Sequence, residues 1–146
     1  MQVYYIVTAY MNKRQEIFLN ATATNPIGIN AATNRILTIK SPYTPESLGE
    51  QIENSLGICL REPVWDEKMQ GKVQDFLGFK SKVLFQKEHV HVIIEFNKDS
   101  SVMKFLATRR EGSGYVSVDK SKFEVELPVD KEALGRLLIK AFQLCQ

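Results

Sequence analysis

The sequence predicts an α+β protein, a mixed or antiparallel sheet with about three helices packed on it. Three observations carry that reading. Several short segments are rich in β-branched and aromatic residues, and His89 to Phe96 alternates strictly. Val90, Val92, Ile94 and Phe96 fall on one face of it, with His89, His91, Ile93 and Glu95 on the other. Two further segments space apolar residues three and four apart, Leu48, Ile52, Leu56, Cys59 and Leu134, Leu138, Phe142, Cys145, the stripe of a helix lying on a core. Finally, 146 residues with 44% hydrophobic and 25% charged side chains can bury a core without disulfide or metal staples, so a single domain spanning 1–146 is expected.

Val3 to Tyr10 reads as the first strand, and Gln15 to Asn20, after the polar Asn12-Lys13-Arg14, as its hairpin partner. Residues 20–34 turn polar and are punctuated by Asn25-Pro26 and Gly28, which is loop chemistry. Arg35 to Lys40 returns to strand character. Thr44 then suits a helix N-cap, Pro45 the first helical position and Glu46 the positive end of the dipole, while Glu62-Pro63 limits the helix. A second helix is predicted over Asp66 to Leu77, with Met69, Val73, Phe76 and Leu77 on one face and Gly78 as C-cap. From Ser81 the pattern reads as strand, leading into His89 to Phe96. Asn97-Lys98-Asp99-Ser100 is a turn, Val102 to Thr108 the returning strand, Glu111-Gly112-Ser113-Gly114 a loop, and Lys122 to Leu127 a last strand. Asp130 caps the C-terminal helix.

The chain also echoes itself. A shift of 86 positions places Glu46 on Glu132, Leu48 on Leu134, Gly49 on Gly135, Ile52 on Leu138, Leu56 on Phe142 and Cys59 on Cys145. The strand at 36–40 lands near 122–126, so both stretches read strand, short loop, capped helix. A helical glycine costs about 1 kcal/mol relative to alanine. Its presence at the same place in both helices points to close packing, against the sheet or against each other.

Charge and cysteine content narrow the function classes. Nineteen basic and 17 acidic residues give a net charge of +2, too balanced for nucleic-acid or membrane binding by field alone. No apolar stretch approaches the roughly 18 residues of a membrane span. The start Met-Gln-Val-Tyr-Tyr-Ile lacks the form of a signal peptide, so a cytoplasmic location is expected. Two cysteines are too few for a disulfide framework and sit on apolar helix faces, as expected in a reducing compartment.

Catalytic and cofactor chemistry finds little support. His89 and His91 share a strand face and could reach one metal ion, but only Glu95 and Glu88 are near as further ligands. Solvent-facing histidines on the polar side of the strand are expected instead, with no metal and no cofactor. Cys59 and Cys145 lack a neighbouring histidine in sequence, and a helix C-terminus disfavours a thiolate at Cys59. The loop at 111–114 matches no phosphate-binding fingerprint. Glu124 and Glu126 alternate with Phe123, Val125 and Leu127 as the wet face of a strand. The aromatic residues read as core. No catalytic residue is expected, and binding another protein is the function the residues favour.

From Pro45 onward the succession LGEQIENSL, VWDEKM, LGFKSKVLFQKEHVHVII, EGSGYVSV and FEVELPVDKEALGRLLIKAFQLC resembles the CdiI immunity proteins of contact-dependent growth inhibition systems in Gram-negative bacteria. The matching features are Trp65 with its acidic neighbour, Gly78-Phe79-Lys80-Ser81 before the central strands, Phe85, and Glu132-Ala133-Leu134-Gly135 opening the last helix. The resemblance implies an antitoxin, without enzymatic activity, that binds the C-terminal toxin domain of a cognate effector, often a nuclease, and blocks its active site. Its expected contact surface is the polar rim formed by Glu88, Glu95, Arg109, Arg110, Glu111 and Tyr115, whose acids would occupy a basic nucleic-acid groove. The rival reading is another small protein-binding adaptor or chaperone.

Overall fold

The computed structural model describes residues 4–25, 27–61, 73–112 and 114–146. The elements run β1 (Tyr4–Asn12), β2 (Ile17–Ala21), β3 (Ala23–Thr24), β4 (Asn30–Ala31), β5 (Ile36–Ile39), α1 (Pro45–Arg61), α2 (Val73–Phe76), α3 (Lys82–Glu88), β6 (His89–Asn97), β7 (Val102–Glu111), β8 (Gly114–Glu126) and α4 (Lys131–Gln143). Six strands form one antiparallel sheet in the order β5-β2-β1-β6-β7-β8, and β3 pairs with β4 as a separate hairpin. Helices α1 and α4 cover one face of the sheet. The core lies between, with Leu48, Ile52, Leu134 and Leu138 against Val7, Ala9, Ile17, Leu19, Val92, Ile94, Met103 and Phe105. Each of the larger side chains contributes about 1.5–3 kcal/mol by leaving water.

The echo in the sequence is a repeat in the structure. β1 maps onto β6 with a shift of 85 (Val7 onto Val92), while β2, β5 and α1 map onto β7, β8 and α4 with a shift of 86 (Ile17 onto Met103, Leu37 onto Phe123). Registers follow. Val7 pairs with Ala21 as Val92 pairs with Ala107, and Ile17 pairs with Ile39 as Met103 pairs with Val125. The central β1–β6 ladder is its own image about the pair Thr8–Ile93.

Side-chain bonds repeat as well. Thr44 Oγ1 accepts from Ser47 N (3.0 Å) and Asp130 Oδ1 from Ala133 N (2.8 Å), capping the two helices. Thr22 Oγ1 donates to the Ile6 carbonyl (2.6 Å) and Thr108 Oγ1 to that of His91 (2.5 Å). Cys59 Sγ reaches the Ile6 carbonyl at 3.5 Å, and Cys145 Sγ the His91 carbonyl at 3.2 Å. Gly49 and Gly135 explain their own pairing. A Cβ on Gly49 would collide with the Lys131 carbonyl, and one on Gly135 with the Pro45 carbonyl. Each helix lays its first turn into the glycine notch of the other, so the predicted close packing is helix on helix.

Several sequence expectations are corrected. The stretch after Ser81, read as strand, is the helix α3, because Ser81 Oγ accepts from Leu84 N (3.2 Å) and Phe85 is buried beneath the turn. Residues 20–34, read as loop, include the end of β2 and the β3–β4 hairpin. Glu111 and Gly114, read as loop, pair at the end of a long β7–β8 hairpin, and the last strand begins at Gly114 and not at Lys122. The expected class holds, an antiparallel sheet with three helices of seven residues or more among the described residues, and α2 of only four beside them. The helix predicted over Asp66 to Leu77 is described only from Val73; it ends as expected at Gly78, with φ at +83°. Its start, with Trp65, lies outside the described residues. The C-terminal helix stops at Gln143, leaving Cys145 just beyond it.

Candidate functional site

The face of the sheet away from α1 and α4 is where the two halves differ. In β6, His89, His91, Ile93 and Glu95 point to this face, the alternation that the sequence predicts. Their exposure does not follow the prediction. His89 is 5% and His91 7% exposed, so neither is a solvent-facing residue on a wet strand. The reason is tertiary: α3, the β3–β4 hairpin and the β7–β8 arm fold over this face and bury the imidazoles among aromatic rings.

The rings form a continuous chain. Tyr115 lies 4.5 Å from His91, His91 stacks on Tyr10 (4.6 Å), and Tyr10 meets Phe85 edge-on (5.2 Å). Phe85 then stacks on His89 (4.1 Å), with Phe79 against both. Such pairs are worth about 0.5–1.5 kcal/mol each beyond burial. The His89 ring is tied by Nδ1 to the Phe85 carbonyl (2.8 Å), which fixes the end of α3 to the start of β6. Both nitrogens of His91 are buried with no protein partner among the described residues.

Burial sets the proton chemistry. Desolvation lowers the His91 pKa to about 4 and also lowers that of His89, against smaller opposing effects of the Phe85 carbonyl and Glu88. Both rings are therefore neutral at pH 7. Burial pushes the Tyr10 phenol up to about 12 despite Thr8, and raises Tyr115. The thiols follow, Cys59 to about 11 and Cys145 upward, so neither is a thiolate at neutral pH. Both sulfurs bond to backbone carbonyls and not to an imidazole. Among the described residues no three of His, Cys, Asp and Glu group as metal ligands.

The six residues expected at a contact surface are only partly brought together. Arg110 and Tyr115 are opposite each other in the β7–β8 ladder and share the aromatic face. Arg109 and Glu111 pair at 3.1 Å on the other side of the arm, both exposed. Glu88 ends α3 and lines, with Lys13, Arg14 and Phe79, a cleft of about 300 Å³ beside His89. Glu95 stands six residues along β6 from His89, on the order of 20 Å away. The sequence carries no signal for Tyr10, Phe79 and Phe85 as parts of one cluster, because they come from a strand, a connection and a helix.

The fold thus defines a class: a two-half antiparallel sheet, helices on one face, and an aromatic face overhung by two hairpins. No protein-family model and no curated protein matches the chain. Solved structures do. A protein of unknown function from Neisseria meningitidis shares 16% identity, covering 98% of this chain and 96% of that one, with a TM-score of 0.75. A chain of the CdiA-CT/CdiI toxin and immunity complex from Yersinia pseudotuberculosis shares 13% identity over 99% of both chains, with a TM-score of 0.71. The chain has the fold of these proteins. No helix among the described residues is long and apolar enough to cross a membrane.

Proposed function

We propose that the chain is an immunity protein, one domain spanning 1–146, that binds in the cytoplasm the C-terminal toxin domain of a cognate contact-dependent growth inhibition effector and blocks its active site. The observation that carries this reading is the end-to-end likeness to a chain of a toxin and immunity complex, over 99% of both. The sequence resemblance to CdiI proteins, drawn from different information, supports the same reading. So do the protonated, carbonyl-bonded thiols and the neutral, stacked histidines, which serve packing and present no nucleophile–base pair. The toxin class that the resemblance implies is a nuclease.

The contact surface in this reading is the aromatic face and its rim. Arg110, Tyr115 and Glu95 present themselves from the sheet and Glu88 from the end of α3, and Arg109 and Glu111 flank them on the arm. A stable complex needs about 800 Å² on each partner with a few aromatic or arginine anchors, and Tyr115 beside Arg110 supplies that pairing.

Co-expression tests the function. The toxin tail encoded beside this gene is expressed in a susceptible cell with or without this chain. Restored growth and co-purification, absent with an unrelated tail, are expected. A toxic tail that is neither neutralised nor bound sinks the immunity reading. With rescue in hand, Arg110→Glu combined with Tyr115→Ala is expected to weaken binding by about 2–4 kcal/mol. Undiminished affinity in surface plasmon resonance removes these two residues from the interface.

A further inference from the structure

The β3–β4 hairpin carries a surface unlike the rest of the molecule. From Ile17 to Asn34 no residue is charged, although 25% of the whole chain is, and no other stretch free of charge is as long. The hairpin lies within this run, and its tip bears two exposed isoleucines. Ile27 is 78% exposed, the most of any large hydrophobic side chain among the described residues, and Ile29 is 57% exposed. Single exposed apolar side chains are ordinary on a protein surface. Two at one uncharged tip are different, because a charge-poor apolar centre is the composition of a protein–protein interface.

The tip is also held in shape. Asn25 Oδ1 accepts from Ile27 N (3.2 Å) and Ile29 N (3.0 Å), Asn25 N donates to the Ile29 carbonyl (2.9 Å), and Gly28 N donates to that of Asn25 (2.9 Å). Gly28 takes φ +84°, the left-handed conformation open to glycine. These bonds fix the backbone beneath both isoleucines, so little ordering entropy is lost when a partner covers them. At the base of the hairpin Ala31 and Ala32 line, with Tyr10, Phe85 and Tyr115, a cleft of about 370 Å³. The hairpin and the aromatic face are therefore one continuous surface.

We infer that the hairpin tip is an anchor for the toxin domain, with Ile27 and Ile29 entering an apolar slot on it while the aromatic face meets the surface around that slot. This rests on the immunity reading and names the part of the chain that carries the affinity. Other occupants fit less well. A nucleic acid or an anionic membrane requires lysine or arginine at the contact, and the uncharged run has neither. Two copies meeting tip to tip would cover far less than about 800 Å² on each, too little for a stable pair.

The experiment uses the full chain and the toxin tail encoded beside its gene, with affinity read by surface plasmon resonance. Ile27→Asp is expected to weaken binding by about thirtyfold or more, and its combination with Ile29→Asp further still. Both side chains stand in solvent, so the unfolding temperature is expected to move by no more than about two degrees. Asn25→Ala keeps both isoleucines and removes the acceptor beneath them. It is expected to weaken binding by about tenfold through faster dissociation. Leu60→Asp, at a partly exposed apolar position of α1 on the other side of the sheet, is the control and is expected to keep affinity within about twofold. If wild type binds the toxin and the Ile27 and double variants bind it equally well, the anchor is overturned and the immunity reading stands. A loss as large in Leu60→Asp overturns the anchor too, since the effect would not belong to the tip. So does a dimer of the free chain in light scattering that Ile27→Asp dissolves, which would give the tip to a second copy. A toxic tail that wild type does not bind overturns the immunity reading and the anchor together.

Discussion

Residues 22–35 of the first half and 108–121 of the second start and end at matching points of the repeat, yet they take different paths. The first breaks away as the β3–β4 hairpin, while the second continues β7 and β8 beyond a register shift between Leu106 and Thr108. The cause is local. Asn20, fully buried, donates Nδ2 to the Thr33 carbonyl at 2.7 Å, and Thr33 Oγ1 donates to the Ala21 carbonyl at 2.5 Å. These side-chain bonds replace ladder bonds and turn the chain over the sheet. The matching positions are Leu106 and Asp119, and leucine cannot make the first bond. One framework thus carries two differently shaped walls around a shared face, so the framework supplies stability and the excursions supply individuality.

The largest effect tests the framework itself. Gly49→Ala and Gly135→Ala force the helix crossing apart at backbone carbonyls, and each is expected to cost about 4 kcal/mol in urea unfolding. Gly57 is the control on the same helix, since its Cβ would meet only the flexible Arg61 guanidinium. Gly57→Ala is expected to stabilise by up to about 1 kcal/mol. Unequal losses at Gly49 and Gly135 would break the claim that the two halves cross reciprocally.

Next comes the histidine that the first half lacks. The folded pKa of His91 lies below its unfolded value of 6.5, at about 4. The folded state therefore binds fewer protons than the unfolded one, and stability is full above pH 6.5 and falls as pH drops through that value towards 4. The shift corresponds to about 3 kcal/mol, with His89 adding in the same direction. In His91→Ile this portion of the acid loss is expected to vanish. A pH–stability curve parallel to wild type across the window would contradict it.

The smallest effect concerns the excursions. Asn20→Leu, which gives the first half the residue of the second, is expected to cost about 1.5 kcal/mol by leaving the Thr33 carbonyl unpaired. Hydrogen exchange should quicken across the hairpin at 23–31 and stay unchanged in the β7–β8 arm. Uniform quickening would mean that Asn20 supports the whole sheet and not the hairpin alone.

Legibility followed the range of the forces. The capped helices, the Gly49–Gly135 echo and the alternation of β6 were readable because propensity, capping and periodicity act within a few residues. α3 was misread because Val83, Leu84 and Phe85 favour strand. What holds the turn is the Ser81 cap together with burial of Phe85 against Tyr10 and His89, contacts made across the fold. The candidate site was the least legible part. His91 was found as a residue, but its burial comes from Tyr10, from the hairpin at Ala31 and from Tyr115, each remote in sequence.

By itself the sequence determined the fold class, the two helix starts, the face each β6 residue takes and the repeat of 86, since all are written in spacings and residue types close along the chain. Tertiary structure alone decided that the two glycines face each other, that Asn20 turns one excursion away, and that the histidines are buried and neutral. Those outcomes depend on which distant surfaces exclude water from a group, and that exclusion exists only once the chain has closed on itself.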